Sequence, residues 1–432
     1  MLRVIAGPGT ILLLAAVCGI CRGIPAFAAE KPFTLQDAVD YSLLHNGNWN
    51  ALREETGIRD ALKTKAGLFP NPLIELEGAT GELSGSPYEN RISVGIAQEF
   101  PIMGKREKRV RVAEREAEEF AFRVADSARI LKGEVRTAFE TVIWAGMKVD
   151  LAEQAVNLTR QLLEVTKQRL DAGDIPELDM NLARLESARS TEKKAEAVQL
   201  RYQARAKLLS LMGLPPDEEA RFITPRETGP VTDNSATLKS QALSHRPDLR
   251  ALAAEKSKVR AEISLARAEA VPDVTAGISY QREHTSVEVG GVTGKTRDNL
   301  IGLKISMPIP LFDRNQAAIR EANARLAAAE TRYTFARLGV EREVAAAQAR
   351  HTSTETSLLI YRREIIPKLE ENLKLVQEAY RLGEVGILSM IDELKKFYEV
   401  HDGYLSALHD RNMALIQLES ATAVDLAGGN RE

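Results

Sequence analysis

The fold of this 432-residue chain is decided by residues 148–179, which read KVDLAEQAVNLTRQLLEVTKQRLDAGDIPELD. Apolar residues recur every seven positions up to Leu170, which is the period of a helix that packs along one seam against a second helix. Gly173 then interrupts the pattern, as a glycine after a helix end does. A returning helix is predicted from about Pro176 to Met212. The stretch therefore predicts a long helical hairpin.

The outgoing helix of this hairpin is very long. No proline occurs from Lys105 to Asp171, and these 67 residues at a rise of about 1.5 Å each give a rod of about 100 Å. Such a length exceeds what a compact globular domain needs. The seam positions are apolar throughout, at Ala128, Val135, Val142, Val149, Val156, Leu163 and Leu170.

The chain contains this organisation twice. A shift of 200 residues aligns Leu43, His45 and Pro72 with Leu243, His245 and Pro272. Further along, Gly173 corresponds to Gly383 at a shift of 210. Each copy is predicted to contain a leading helix (residues 34–67 in the first), two strands, a long helix, a glycine turn and a returning helix. Pro367 lies inside the second long helix and is expected to kink it.

The repeat also defines the predicted domain organisation. Four prolines interrupt any helix between the two copies. We predict a signal peptide at 1–28, a first repeat at 29–214, a proline-rich connector at 215–236, a second repeat at 237–427 and a tail at 428–432.

The first 28 residues have the pattern of a cleaved export signal. Arg3 precedes an apolar run of about eleven residues from Ile11 to Cys21, which is too short to span a bilayer. Ala26-Phe27-Ala28 supplies the small residues that a signal peptidase recognises. Cys18 and Cys21 lie within this segment, so we expect the mature chain to contain no cysteine and to be exported.

Four segments alternate apolar with polar or small residues, at 73–78, 92–97, 274–281 and 301–307, and loops are predicted at 78–90 and 283–299. In a soluble protein this alternation describes half-buried hairpins. In an exported chain it also describes an outer-membrane barrel with apolar side chains facing lipid. Four strands cannot close a barrel, since about eight are the practical minimum. The membrane interpretation therefore requires several chains to share one barrel.

Composition excludes several classes of function. Lysine and arginine number 58 against 61 for aspartate and glutamate, a net charge of −3, which argues against a nucleic-acid-binding protein. Charged residues at 28% argue against a polytopic helical membrane protein. Gly294-Lys295-Thr296 lacks the glycine spacing of a phosphate-binding loop, and the six histidines lack the spacing of metal ligands. We therefore expect no catalytic, cofactor-binding or metal-binding residues, and no enzyme activity.

The duplicated layout, the proline-rich connector and the two glycine turns resemble the outer-membrane efflux protein family, the TolC-like channels of tripartite export pumps. The segment most similar to the family is Glu378-Ala379-Tyr380-Arg381-Leu382-Gly383-Glu384. The chain looks most like the metal-cation, CzcC-like branch. The resemblance implies a mainly α fold with a small β part. Long coiled-coil-like hairpins form an α-barrel, and four strands per chain contribute to a transmembrane β-barrel of twelve strands shared by a homotrimer. It also implies a periplasmic adaptor, an inner-membrane transporter and outer-membrane lipid as partners.

The resemblance further implies a pore constriction or latch near the glycine turns. Asp179, Tyr380 and Asp392 occupy the corresponding positions, and carboxylates in a narrow pore attract cations and can link helix ends. From the residues alone, the favoured interpretation is that both aspartates are solvated helix residues and that Tyr380 is a packed seam aromatic. Val385 and Ser389 stand where the best-known members carry an arginine and a further aspartate, so the latch is expected to differ.

Both turns are also the expected docking surface for the adaptor, with Gly173, Asp174, Gly383 and Glu384 at their ends. Without the resemblance, a glycine between helices is a C-cap followed by a turn. Together these features predict a passive outer-membrane exit duct for small solutes or metal cations, with its helices in the periplasm. The alternative is an exported fibrous or adhesion protein built from long coiled coils.

Overall fold

The computed structural model describes residues 32–86, 88–223 and 234–426. The predicted signal peptide at 1–28 and the tail at 428–432 lie outside these ranges, as does the central part of the connector. Most of both predicted repeats is therefore described.

The leading segment of the first copy is a broken helix, so the single helix predicted for residues 34–67 is wrong. Three helices are present, α1 (Leu35–His45), α2 (Gly47–Glu54) and α3 (Thr56–Ala66). Asn46 separates α1 from α2 because its backbone is extended and its Oδ1 accepts a hydrogen bond from the Trp49 N–H at 3.0 Å. That bond satisfies one of the unpaired donors at the start of α2.

The first copy continues with two strands and the long hairpin, which are β1 (Leu73–Thr80), β2 (Asn90–Phe100), α4 (Lys105–Asp171) and α5 (Glu177–Met212). The 67-residue extent predicted for α4 is confirmed. Its valine seam is buried, and Ala145 and Ala152 are completely covered, so neighbouring helices approach its backbone closely. α4 packs on α3 and α7 near its start and on α5 further along.

The second copy repeats this order as α6 (Ser235–His245), α7 (Pro247–Glu269), β3 (Val274–Val289), β4 (Val292–Ser306), α8 (Gln316–Ile360), a π-helical turn (Tyr361–Ile365), α9 (Ile366–Leu382) and α10 (Ile387–Thr422). The rod from Gln316 to Leu382 has 67 residues, as many as α4, and α10 has 36, as many as α5. The internal duplication is confirmed. The irregularity expected at Pro367 takes the form of the π turn directly before it.

The four strands form one antiparallel sheet in the order β1-β2-β3-β4. β2 and β3 join the two copies, with Phe100 opposite Val274 where the strands approach the helices. The loop predicted at 283–299 is wrong, because β3 and β4 continue as a ribbon until Val289 faces Val292. Gly290 and Gly291 close the ribbon with positive φ angles of 61° and 84°, which a two-residue hairpin turn of this kind requires.

One face of the sheet carries two apolar rows that cross all four strands. All eight side chains are at least 48% exposed. The first row consists of Ile74, Ile96, Ile278 and Leu303, and the second row consists of Leu76, Val94, Tyr280 and Ile301. The other face is polar or small, with Glu75, Gly95, Ser279 and Gly302 in one row. Glu75 Oε1 of β1 lies 3.7 Å from Lys304 Nζ of β4 across this small-residue face. The sheet therefore curves with its polar face inward.

The hydrophobic core is distributed along the rods. One cluster packs α1 against α4 and α5 around Phe139, Leu208 and Met212. A second holds the two hairpins together near their turns, around Leu162, Leu373 and Ile391. The predicted mainly α fold with long helical hairpins and a small β part is confirmed.

Within the described ranges, no helix combines the length and apolar character that crossing a membrane requires.

Candidate functional site

The two glycine turns have the same geometry. Gly173 and Gly383 adopt φ angles of 81° and 80°, in the left-handed region that favours glycine. The Asp174 N–H donates to the Arg169 carbonyl at 2.9 Å, and the Glu384 N–H donates to the Ala379 carbonyl at 2.9 Å. These are the bonds that close a helix C-terminus and redirect the chain. The duplication thus produces two equivalent hairpin tips.

The ends of both tips are exposed, including the four residues predicted as a docking surface, Gly173, Asp174, Gly383 and Glu384. Leu178 and Leu388 lie at equivalent positions after the turns and are 66% and 67% exposed. Sequence reasoning missed this pair, although the shift of 210 residues that aligns the glycines also aligns these leucines. Each tip therefore presents a carboxylate and an uncovered leucine.

Tyr380 links the second rod to the first. It is 3% exposed, and its hydroxyl lies 2.9 Å from Thr166 Oγ1 of α4. Thr166 uses its one hydroxyl proton on the Leu162 carbonyl at 2.7 Å, so it accepts the bond that Tyr380 donates. Because the hydroxyl is both buried and paired, breaking the contact leaves Tyr380 without a partner for its donor.

Arg169 strengthens the same contact. Its Nη1 donates to the Tyr380 carbonyl at 3.2 Å, and its guanidinium carbon lies 5.1 Å from the centre of the Tyr380 ring. Sequence reasoning missed both Thr166 and Arg169. Their spacing of three residues along α4 places them on one helix face, but only the folded chain shows that Tyr380 lies against that face.

The two predicted aspartates lie apart from this contact. Asp179 is half-buried in the first turn of α5, and its N–H donates to the Pro176 carbonyl at 3.0 Å. Asp392 is exposed on α10, where its Oδ2 lies 2.7 Å from Lys396 Nζ and the hydrogen bond raises the pKa of that lysine. Among the described residues, no hydrogen bond or ion pair joins Asp179, Tyr380 and Asp392 to one another.

The junction between sheet and rods is held by a partly buried ion pair. Lys105 is almost completely covered, and its Nζ lies 2.6 Å from Asp273 Oδ1, which also accepts the Ile102 N–H at 3.1 Å. Asp273 directly precedes β3, whereas Lys105 starts α4. This pair therefore fixes the direction in which the first rod leaves the sheet.

In the parts of the chain that the structure describes, no group of three or more histidine, cysteine, aspartate or glutamate side chains is placed to hold a metal ion. His351, His401 and His409 are largely covered, and burial lowers the pKa of each imidazole. They lie among the helices rather than at the tips.

The chain is similar to known proteins over nearly its full length. It is 23% identical over 387 residues to the cobalt-zinc-cadmium resistance protein CzcC of Cupriavidus metallidurans, covering 89% of each chain. It is 25% identical over 279 residues to the nickel and cobalt resistance protein CnrC of the same organism, covering 65% of this chain and 63% of that one. The solved structure of the outer-membrane channel OprN shares 18% identity at a TM-score of 0.73, covering 91% and 90% of the two chains.

Residues 65–214 and 238–424, which include both hairpins and all four strands, match the outer membrane efflux protein family. The match treats the two repeats as separate stretches, in agreement with the duplicated fold. The chain therefore belongs to the outer membrane efflux protein family and is located at the outer membrane, with its helical part in the periplasm.

Proposed function

We propose that this outer membrane efflux protein is the exit duct of a pump for divalent metal cations. The observation that carries the metal assignment is the similarity to CzcC over 89% of both chains, and the similarity to CnrC supports it. The duct is passive and performs no catalysis. The energy for transport comes from an inner-membrane transporter, which a periplasmic adaptor connects to the helical tips.

The sheet supports an assembly of three copies. β1 and β4 are edge strands in the single described chain, and such edges accept further strands. Four strands are too few to close a barrel, whereas three copies supply twelve. In that barrel the two apolar rows face lipid and the concave face with Glu75 and Lys304 lines the lumen. We therefore infer a homotrimer embedded in outer-membrane lipid.

The tips support a gate and a docking surface. Three copies place three Asp179 and three Asp392 carboxylates around the periplasmic opening, where they constrict it and attract cations. Tyr380 acts as the latch between the two rods of each chain, through Thr166 and Arg169. The adaptor binds the exposed ends at Gly173, Asp174, Gly383 and Glu384.

The proposed organisation of the chain follows the repeat. Residues 1–28 are removed on export, units 29–214 and 237–427 form the duct, and segments 215–236 and 428–432 serve as connector and tail. Family membership favours this duct over the fibrous or adhesion protein that the long helices alone also allow.

Metal tolerance tests the assignment of cargo. Deleting the gene is expected to lower the concentration of zinc, cobalt or cadmium that cells survive and to raise the metal content of the cells, and the wild-type gene restores both. Tolerance to organic antibiotics serves as the control. If only antibiotic tolerance changes, the duct proposal stands and the metal assignment fails.

Fractionation tests the assembly. The mature protein is expected in the outer-membrane fraction and, after extraction in detergent, at the mass of three chains. A protein that stays soluble without detergent, or is monomeric in detergent, contradicts the shared barrel.

Replacing Leu178 and Leu388 by aspartate is expected to abolish cross-linking to the adaptor while leaving the trimer intact.

A further inference from the structure

We propose that the ribbon of β3 and β4 binds the phosphate groups of a phosphorylated glycolipid in the outer leaflet of the membrane. The residues that carry this inference are Arg282, Lys295 and Arg297, which we call the outward cations. They follow the two apolar rows on the same face of the sheet. The inference rests on the proposed placement of the sheet as part of an outer-membrane barrel.

The register of the sheet fixes the face on which the outward cations lie. Tyr280 of β3 belongs to an apolar row, and because side chains alternate along a strand, Arg282 is the next position on that face. On β4 the same face continues from Ile301 to Arg297 and Lys295. The outward cations therefore extend the surface that faces lipid, rather than the surface that lines the lumen.

The outward cations begin at the level where hydrocarbon gives way to headgroups. A strand crosses a bilayer in about 9–11 residues, and this count from Val274, next to the helices, reaches residues 282–284. Tyr280 marks the same boundary, because its ring lies in an apolar row and its hydroxyl donates to Asn299 Oδ1 at 2.8 Å. The helices lie in the periplasm, so this boundary belongs to the outer leaflet.

The outward cations lack the carboxylate partners that cations on the inner face have. On the inner face, Arg91 Nη2 lies 2.8 Å from Glu283 Oε1, and Lys304 Nζ lies 3.7 Å from Glu75 Oε1. Among the described side chains, no carboxylate forms an ion pair with an outward cation. Positive charges that the protein itself does not neutralise favour an anionic ligand at this face.

Two of the outward cations are positioned by neighbouring side chains. Arg297 Nε donates to His284 Nε2 at 2.7 Å, so the imidazole holds its proton on Nδ1 and donates it to Asn90 Oδ1 at 2.6 Å. This leaves both Nη atoms of Arg297 for phosphate oxygens, which the guanidinium fork matches. Lys295 Nζ lies 3.6 Å from the centre of the Tyr88 ring, which holds the ammonium group beside the ribbon.

The spacing of the outward cations favours a ligand with more than one phosphate. They occupy three successive rows of the ribbon, which span about 13 Å at 3.3 Å per residue. A phospholipid such as phosphatidylglycerol carries a single phosphate in its headgroup, whereas the sugar of a lipid A-type glycolipid carries two. The glycolipid can therefore contact cations in separate rows at once.

Lipid binding to the purified full chain in detergent tests the inference. The probes are lipid A with two phosphates, its monophosphorylated form and phosphatidylglycerol. Lipid A is expected to bind with a Kd at least about tenfold below that of phosphatidylglycerol, with the monophosphorylated form in between. Replacing all three outward cations by glutamine is expected to raise the Kd for lipid A at least about tenfold, because each basic residue adds to the attraction of an anionic surface.

Lys304→Gln is the matched control, because it removes an exposed cation of the same sheet from the opposite face. Its Kd for lipid A is expected to stay within about twofold of wild type. A triple variant that binds lipid A like wild type overturns the inference. Equal affinity of the wild-type protein for lipid A and phosphatidylglycerol also overturns it, and this comparison needs no variant to fold.

Fractionation of the same preparation separates this inference from the proposed function. A protein that is found in the outer membrane but does not prefer lipid A overturns the glycolipid site alone. A protein that stays soluble without detergent overturns the proposed barrel, and the glycolipid site with it.

Discussion

The hydroxyl groups of Thr166 and Tyr380 lie 2.9 Å apart in the buried seam between the two long rods. Thr166 already donates to the Leu162 carbonyl, so it can only accept from Tyr380. This hydrogen bond joins the two repeats near their tips, beside the one that Arg169 donates to the Tyr380 carbonyl. Because the bond is buried, water cannot replace it while the two repeats stay packed together. Removing the bond by mutation therefore weakens the contact between the repeats.

Tyr380→Phe is expected to weaken the closed arrangement of the tips by about 1 kcal/mol, since it removes one buried hydrogen bond without leaving Thr166 unpaired. In planar bilayers the mutant channel is expected to conduct more than wild type. Tyr398→Phe is the control, because the Tyr398 hydroxyl makes no hydrogen bond within the described part of the chain. A Tyr380→Phe channel with wild-type conductance contradicts the latch, and non-additivity with Thr166→Val tests the coupling directly.

Asp392→Ala is expected to raise single-channel conductance and to lower the preference for cations, because it removes a carboxylate from the proposed constriction. Stability is expected to change little, since Asp392 is exposed and its partner Lys396 lies on the same helix. Glu371→Ala on α9 is the matched control, as it removes an equally exposed carboxylate paired with Lys368. Unchanged conductance in Asp392→Ala removes this residue from the constriction.

Leu303→Lys is expected to block insertion of the barrel, because a charge on the lipid face costs about 2–4 kcal/mol at the bilayer midplane. Leu303 lies in an apolar row and is 84% exposed in the single chain. Ser279→Lys, on the opposite face and the adjacent row, is expected to insert normally. The measurement is the fraction of protein recovered in outer membranes. Equal recovery of both variants contradicts the assignment of the two faces.

Acid is expected to destabilise the helical part through its covered histidines. His409 stacks on Trp144 with ring centroids 4.7 Å apart, and burial lowers its pKa below 6.5 against a weaker opposite effect of Asp410. As the pH falls below 6.5, the imidazole binds a proton in the unfolded chain but not yet in the folded chain. The free energy of unfolding therefore falls until the pH passes the pKa of the folded state. His351 and His401 act in the same direction.

The midpoint of thermal unfolding is therefore expected to drop between pH 7.5 and pH 5.5, and His409→Phe is expected to reduce the drop without abolishing it. Phenylalanine keeps the stacking surface for Trp144 but cannot take up a proton. The same substitution at the exposed His245 is expected to leave the drop unchanged. A His409→Phe protein that keeps the full drop excludes His409 as a source of the acid sensitivity.

Local patterns were sufficient for most of the fold. The absence of proline from Lys105 to Asp171 and the sevenfold apolar repeat predicted α4 with its correct bounds. Gly173 and Gly383 were predicted as turns, and both adopt the left-handed conformation. The break at Asn46 was missed because a polar residue inside a helical pattern is compatible with either a solvated position or a cap.

The candidate site was predicted less completely. Tyr380 was identified, but its partners Thr166 and Arg169 lie more than 200 residues away in sequence, where no local pattern relates them. Asp179 and Asp392 were identified from the resemblance, and their proposed role depends on other copies of the chain. The leucines Leu178 and Leu388 could have been found, since the repeat that aligns the turns also aligns them.

The sequence by itself determined most of the elements of this protein, because helix period, strand alternation and glycine turns depend on neighbouring residues. It also determined the duplication. Only the tertiary structure decided that β2 pairs with β3, with Phe100 opposite Val274, and that Tyr380 contacts Thr166. Both contacts join one repeat to the other. The geometry of both contacts depends on how the helices and strands of the two repeats pack together, which is a property of the whole chain rather than of any segment.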